Sequence, residues 1–255
     1  MKNYFDLKGR VALVTGASSG LGIQFAKALA NQGADIAICA RRVERLEGVK
    51  AEIEAMGVKC YMHRCDVTKT EDIIATVTDT IAHFGKIDIL VNNAGLGLVA
   101  PATEMAEADW RKMMDTNVNS LFLFAREVAK YMIPAGYGRI INIGSIHSTV
   151  SMNGSPLAAY ATTKGAVLMM TKTLACEWAK TGVTVNAIGP GYFASEMTQA
   201  GIDTPEFAMA MGVYCPMGRT GAPGELDTAL LYFASDCSTY TTGQLLQVDG
   251  GWNTI

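Results

Sequence analysis

The sequence lacks the marks of several protein classes. Its six cysteines (39, 60, 65, 176, 215 and 237) form no Cys-x-x-Cys pair and share no metal-ligand spacing with the three histidines, so no metal site is expected. Cys39 and Cys176 lie in apolar runs, where cysteine serves as a small hydrophobe. All six read as reduced thiols of a cytoplasmic protein. Lysine and arginine nowhere form a block, and the formal net charge is −3, which argues against a nucleic-acid surface. Arg41-Arg42 is the densest cationic spot. No apolar run reaches the roughly eighteen residues of a membrane span. The opening MKNYFDLKGRVALVTG has no apolar core of signal-peptide length. No repeat and no low-complexity linker divides the chain.

What is present is an apolar content of 49% over 255 residues, ample for a sizeable core. Short apolar runs alternate with longer amphipathic ones. RVALVTG, DIAICA, KCYMHRCDV, IDILVNNAG, GRIINIGS, VTVNAIGPG and GQLLQVDGG read as strands. Helices are expected between them, among them a helix around DWRKMMDTNVNSLFLFAREVAKYM. Strands apolar on both faces, alternating with helices, predict a single-domain α/β fold: a Rossmann-type doubly wound parallel sheet with helices on both faces. Ligands of such folds bind beyond the carboxyl ends of the strands.

The first strand runs directly into VTGASSGLG. Gly16, Gly20 and Gly22 permit a tight turn and close backbone approach, and the following helix start offers free N–H groups to an anion. Ser18 and Ser19 add hydroxyls, and Leu21 completes the loop. In this position the motif predicts a dinucleotide cradle rather than an ordinary glycine-rich turn. At the end of the second strand, where a dinucleotide site for NAD usually carries an acid, stands Ala40, followed by Arg41 and Arg42. A guanidinium binds a 2′-phosphate through charge-assisted hydrogen bonds, so NADP (NADPH) is expected. The plainer reading leaves both arginines solvated at a helix start.

Tyr160 and Lys164 are four residues apart, one helical turn, so their side chains can reach one site. A tyrosine with an unperturbed pKa of about 10 needs a nearby ammonium to act as a base near neutrality. Taken together, TGASSGLG, CDV, NNAG, the Asn of TNVNS, the Ser of NIGS, YATTK and IGPGYFASEM resemble the short-chain dehydrogenases/reductases, with a likeness that runs to the closing TTGQLLQVDGG. The resemblance implies an oxidoreductase interconverting a secondary alcohol and a ketone, and a homotetramer. It assigns Tyr160 as acid/base and Lys164 as the group that lowers its pKa and holds the nicotinamide ribose. It also implies that Ser145 bonds the substrate oxygen and that Asn117 holds a relay water. The family's serine usually precedes the tyrosine by about twelve or thirteen residues. Ser145 precedes Tyr160 by fifteen and Ser148 by twelve. Ser145 is preferred because it ends the strand, with Ser148 as the alternative.

By the same resemblance Asp66 and Val67 meet the adenine, although Asp66 also fits an ordinary helix N-cap. Asn93, Ala94 and Gly95 lie beside the adenosine ribose. Pro190, Gly191, Phe193 and Ser195 form the turn that holds the carboxamide.

Within the family, FDLKGRVALVTG and PGYFASEMT are most similar to the gluconate 5-dehydrogenase-like group. A sugar acid calls for a cation in its pocket. LGLVAPATEM has none, Lys164 is already assigned, and Lys172 and Lys180 lie further along the helix. A partner acyl carrier protein would call for a basic patch that MIPAGYG lacks. A lid from about 195 to 217 carries Met197, Met209, Met211 and Met217 with Phe207 and Tyr214. A Met-rich lid suits a bulky apolar ligand, so a hydroxysteroid or bile acid is expected. A sugar acid or polyol is the alternative, followed by a 3-oxoacyl substrate. The same methionines could instead pack the lid or an oligomer contact, and His147 could meet substrate or sit incidentally in its loop. A non-catalytic cofactor-binding regulator would be expected to lack Tyr, Lys or Ser, and all are present.

Overall fold

The computed structural model describes residues 3–196, 198, 202 and 204–254. Each expected strand forms where its apolar run lies: β1 (Val11–Thr15), β2 (Asp35–Ala40), β3 (Cys60–Arg64), β4 (Ile89–Asn92), β5 (Gly138–Ile143), β6 (Val183–Pro190) and β7 (Leu245–Val248). They make one parallel sheet in the order β3-β2-β1-β4-β5-β6-β7. Every residue of β1, β4, β5 and β6 is buried, because both faces of these strands are covered. Chain order reverses between β1 and β4, so the loops leaving them diverge and open a crevice at their carboxyl ends.

The covering helices are α1 (Gly20–Asn31), α2 (Val43–Glu54), α3 (Thr70–Phe84), α4 (Glu107–Met114), α5 (Ser120–Ala135), α6 (Ala158–Trp178), α7 (Pro205–Tyr214) and α8 (Asp227–Ala234). Phe25 and Leu29 of α1, Leu46 and Ile53 of α2 and Leu230 and Phe233 of α8 pack on one face of the sheet. Ile73 and Val77 of α3, Phe124 and Val128 of α5 and Leu174 and Trp178 of α6 pack on the other. Each large apolar side chain removed from water in this way contributes about 1.5–3 kcal/mol.

The single helix expected over residues 109–132 is interrupted. One π turn, Asp115–Asn119, separates α4 from α5. The Ser120 hydroxyl donates to the Thr116 carbonyl at 2.6 Å inside it. An inserted residue of this kind leaves the apolar periodicity almost unchanged and frequently marks a functional site. Asn117 lies at its centre.

At the amino end of the sheet, Tyr137 is sandwiched between the guanidinium groups of Arg10 (3.8 Å) and Arg139 (4.3 Å), and Asp236 accepts hydrogen bonds from all three side chains. Arg139 is the second residue of β5, so it belongs to the end of the sheet away from the crevice. Among the described residues no helix is long and apolar enough to cross a membrane, and no group of three or more metal-ligating side chains occurs.

Candidate active site

The loop from β1 to α1 turns through Gly16 (φ +67°) and Gly20 (φ +53°), conformations that side chains with a Cβ rarely adopt. Gly22 is demanded by packing instead: a Cβ there would lie 2.4 Å from the Gly16 carbonyl oxygen. The loop after β4 is stitched to this turn. Thr15 Oγ1 accepts from the backbone N–H groups of Asn93 and Ala94 at 3.0 Å each, and Asn93 Nδ2 donates to the Thr15 carbonyl at 2.9 Å. Ser19 precedes α1 without a side-chain cap bond, so the first-turn N–H groups of that helix are left for an anion. Leu21 packs against the core beneath.

Arg42 reaches over the loop, donating to Ser19 Oγ at 2.9 Å and to Ser18 Oγ at 3.2 Å. Arg41 is exposed on the side of Asp66. Burial pushes the Asp66 carboxyl up, but hydrogen bonds from Thr68 and the charges of Arg41 and Lys69 outweigh it, and the group sits below its ordinary value. Asp66 is not the N-cap of α3, which is Lys69. Its Oδ1 accepts from the N–H and hydroxyl of Thr68, closing a local turn. Val67 packs at the edge of the core on this side.

At the end of β5 the chain turns through Ser145 into a single 3-10 turn, Ile146–Ser148. The two candidate serines face different ways. Ser148 Oγ accepts from the Ser145 N–H at 3.1 Å and lies under Gly144, where a Cβ would meet it at 2.9 Å. The Ser145 hydroxyl accepts from the His147 N–H at 3.1 Å and lies on the side of the Tyr160 phenol, whose pKa it lowers.

The first turns of α6 carry Tyr160 and Lys164 on one face. Tyr160 is half-buried and Lys164 is buried. Lys164 Nζ donates to the Ile143 carbonyl at 2.8 Å and lies 5.7 Å from the centre of the Tyr160 ring. Burial pushes the ammonium down to about 8. The Tyr160 phenol is raised, chiefly by burial and further by Tyr192, against a smaller lowering by Ser145. The sequence predicts that Lys164 lowers the phenol's pKa. In the structure loss of hydration dominates instead, and the ammonium is turned to a main-chain carbonyl.

Asn117 ties the loop after β4 to α6. Its Oδ1 accepts from the Leu96 N–H at 2.9 Å, and its Nδ2 donates to the Leu96 carbonyl at 2.8 Å and to Thr163 Oγ1 at 3.1 Å. A Cβ on Gly95 would lie 3.4 Å from Asn117 Oδ1 and 3.9 Å from Lys164 Nζ, which puts these three residues together. After β6, Gly191 passes close to Asp249, Phe193 is buried, and Ser195 lies against the glycine loop, where a Cβ on Gly20 would meet its Cβ at 3.4 Å. Pro190 ends β6 and pairs in register with Val248.

The family described as enoyl-(acyl carrier protein) reductase matches residues 16–253. The chain is 41% identical over 247 residues to gluconate 5-dehydrogenase of Gluconobacter oxydans, covering 97% of this chain and 96% of that one. It is 40% identical to 2-dehydro-3-deoxy-D-gluconate 5-dehydrogenase of Pseudoalteromonas atlantica, with 99% of both chains covered. The crystal structure of a gluconate 5-dehydrogenase from Burkholderia cenocepacia in complex with NADP and tartrate superimposes with a TM-score of 0.95 at 37% identity, covering 99% of this chain and 98% of that one. The chain belongs to the short-chain dehydrogenase/reductase family. It is a nicotinamide-dinucleotide-dependent oxidoreductase acting on CH–OH groups.

In this short-chain dehydrogenase/reductase the methionines of the segment expected as a lid divide between the surface, a packed cluster and the edge of a cavity. Met209 and Met217 are 73% and 67% exposed. Met211 is buried, but within a cluster of Ile146, Cys215 and Trp252 joined by Tyr192, Phe207 and Tyr214. The lid aromatics therefore pack on one another: Tyr192 lies 4.9 Å from Phe207 and 5.2 Å from Trp252, and Tyr214 stacks on Trp252 at 5.5 Å. Met197 lies outside the described residues. Lys172 is exposed on α6 and Lys180 is exposed just beyond its end. Arg219 borders a cavity of about 420 Å³ with Tyr192, Met211 and Met217, but both its terminal nitrogens are held by Glu225 at 2.8 Å.

Three further residues bear on the site: His147, which the sequence leaves open, and Tyr192 and Glu196, which motif reading passes over. His147 is buried with its ring 6.2 Å from that of Tyr160, at 78°. Its Nδ1 lies 3.2 Å from the Val150 carbonyl, which can only accept. Nδ1 therefore carries the proton and Nε2 presents a lone pair. Burial lowers the ring's pKa and keeps it neutral near pH 7. Tyr192 raises the Tyr160 phenol. Glu196 forms ion pairs with Arg42 (3.0 Å) and with Arg45. Their hydrogen bonds, Arg45 first and Arg42 next, hold its carboxyl down at about 2.

Proposed function

We propose that this enzyme interconverts a secondary alcohol and a ketone on a sugar acid or polyol, using NADP(H), with Tyr160 as acid/base. The observation that carries the substrate class is the polar wall around Tyr160. The Ser145 hydroxyl and the neutral His147 ring adjoin it, while Met209 is exposed and Met211 and Met217 border a cavity whose lining also carries Arg219, Glu225 and Asp249. The relatives named above support the same reading over the hydroxysteroid expected from the lid's composition.

The residues fit the dinucleotide. Arg42 joins the glycine loop to an anion already, donating to Ser19 and Ser18 and to the Glu196 carboxylate, while the N–H groups at the uncapped start of α1 remain for a phosphate. NADP over NAD is supported by Ala40, which puts no acid at the end of β2, and by Arg42. Arg41, Asp66 and Val67 border the adenine side. Asn93, Ala94 and Gly95 border the ribose, and Pro190, Gly191, Phe193 and Ser195 border the nicotinamide.

Bound there, the nicotinamide supplies or accepts the hydride. In reduction, Tyr160 Oη donates its proton to the ketone oxygen as that oxygen gains charge, and Ser145 Oγ holds the same oxygen. The raised pKa keeps the phenol protonated at neutral pH, ready as an acid. In oxidation the phenol must first lose that proton, so the reaction quickens toward alkaline pH. Lys164, mostly charged below its pKa of about 8, places positive charge beside the phenol. Asn117, through Thr163, whose hydroxyl donates to the Tyr160 carbonyl at 2.7 Å, fixes the first turn of α6. His147 Nε2 accepts a hydrogen bond from a second substrate hydroxyl, a contact a polyol can make and a hydrocarbon cannot.

Homotetramer formation is supported by apolar side chains left on the outer helices, among them Phe122 (43% exposed) and Met169 (61%). Cytoplasmic residence is supported by the six free thiols. Kinetics with NADP⁺ on gluconate, 2-dehydro-3-deoxygluconate, galactitol and a bile acid test the function. Turnover confined to the sugar acids or polyol is expected, and efficient turnover of the bile acid alone would overturn the reading.

A further inference from the structure

Glu196 is the acidic neighbour of a cradle built for an anion. Its carboxylate takes Arg42 Nη2 at 3.0 Å and Nη1 at 3.4 Å, and it pairs with Arg45. The same Arg42 Nη2 donates to Ser19 and Ser18 of the glycine loop. Arg42 stands at the end of β2, where the 2′ position of the adenosine ribose is recognised in this fold. We propose that Glu196 sets cofactor preference by competing with the 2′-phosphate of NADP(H) for Arg42 and Arg45. The inference rests on the NADP(H) reading above.

The chemistry of the two dinucleotides makes this selective. A ribose 2′-hydroxyl can donate to a carboxylate, so NAD(H) tolerates Glu196 where it stands. A 2′-phosphate is itself an anion and an acceptor, so it repels the carboxylate and needs the same guanidinium donors. Glu196 therefore acts as a counterion that the phosphate must displace, while the hydroxyl need not. All three side chains are about 40–50% exposed, 38% for Arg42, 47% for Arg45 and 53% for Glu196, so each pair is screened and the effect is moderate.

Calorimetric titration of the whole enzyme with 2′,5′-ADP and with 5′-AMP tests this without turnover. Glu196→Gln keeps the side chain's shape and removes its charge. The expected result is about three- to tenfold tighter 2′,5′-ADP binding with 5′-AMP changed less than twofold, which also shows that the variant is folded. Unchanged or weaker 2′,5′-ADP binding by the variant, with wild type still preferring it over 5′-AMP, overturns the competition and leaves the NADP(H) reading standing. A wild type that binds the two ligands equally overturns the NADP(H) reading and the inference with it. Arg45→Gln supplies the converse: weaker 2′,5′-ADP binding supports the inference, and unchanged binding removes Arg45 from it.

Discussion

Replacing Lys164 with Met should expose the stability cost of keeping an ammonium in the active site. Burial lowers its pKa from 10.5 to about 8. Between those values the unfolded chain binds more protons at this position than the native one. The group's penalty is therefore full below pH 8 and fades as pH rises toward 10.5. At about 1.4 kcal/mol per pH unit, the shift costs the native state roughly 3 kcal/mol at pH 7 and less than about 1 kcal/mol at pH 10. Met removes that penalty at both values, but it leaves the Ile143 carbonyl without its 2.8 Å donor, at a loss of about 1–3 kcal/mol that does not depend on pH. The absolute stability change at pH 7 is thus small. The informative quantity is its change with pH. Urea denaturation of both proteins at pH 7 and pH 10, at equal chain concentration, should show the variant's relative stability falling by about 2–3 kcal/mol between the two. A difference that stays constant would mean that the ammonium is hydrated in solution and that the site stores no such cost.

Ser145→Ala should reduce kcat/KM heavily, whereas Ser148→Ala should lower stability by about 1 kcal/mol through the lost cap while sparing most activity. The reverse order would mean that the loop after β5 is set differently from the structure. His147→Phe keeps a ring at that place and removes the acceptor. KM for a sugar acid or polyol should rise about tenfold with little loss of kcat, and an unchanged KM would remove His147 from substrate contact. Arg42→Ala should raise KM for NADP⁺ about tenfold or more and leave that for NAD⁺ nearly unchanged, as steady-state titration of both cofactors can show.

The sheet was legible in the sequence because parallel strands covered on both faces must be apolar throughout, and VALVT, DIAICA and VTVNAIGP are nearly so. The glycine loop and the Tyr160–Lys164 spacing were legible because they lie within continuous stretches of chain. The π turn at Asn117 was not, since one extra residue hardly disturbs the polar and apolar order around it. The lid resisted because its methionines and aromatics show no sharp facing pattern. Which of them turn inward depends on Trp252, far along the chain, which packs against Tyr192 and stacks on Tyr214. Glu196 was hidden for a similar reason. Its partners Arg42 and Arg45 lie about 150 residues earlier and meet it only when the turn after β6 folds back over the cradle.

The proton-transfer role of Tyr160 is the centre of the account, and a single substitution separates it from binding. Tyr160→Phe retains the ring beside His147 and removes the hydroxyl proposed to exchange a proton with substrate. Nicotinamide fluorescence titration alongside single-turnover rates should give a dinucleotide Kd within about twofold to threefold of wild type. The hydride-transfer rate should fall by about 10²–10⁴-fold, the usual contribution of a general acid–base group. A variant that binds cofactor normally and turns over at close to the wild-type rate would contradict the assignment.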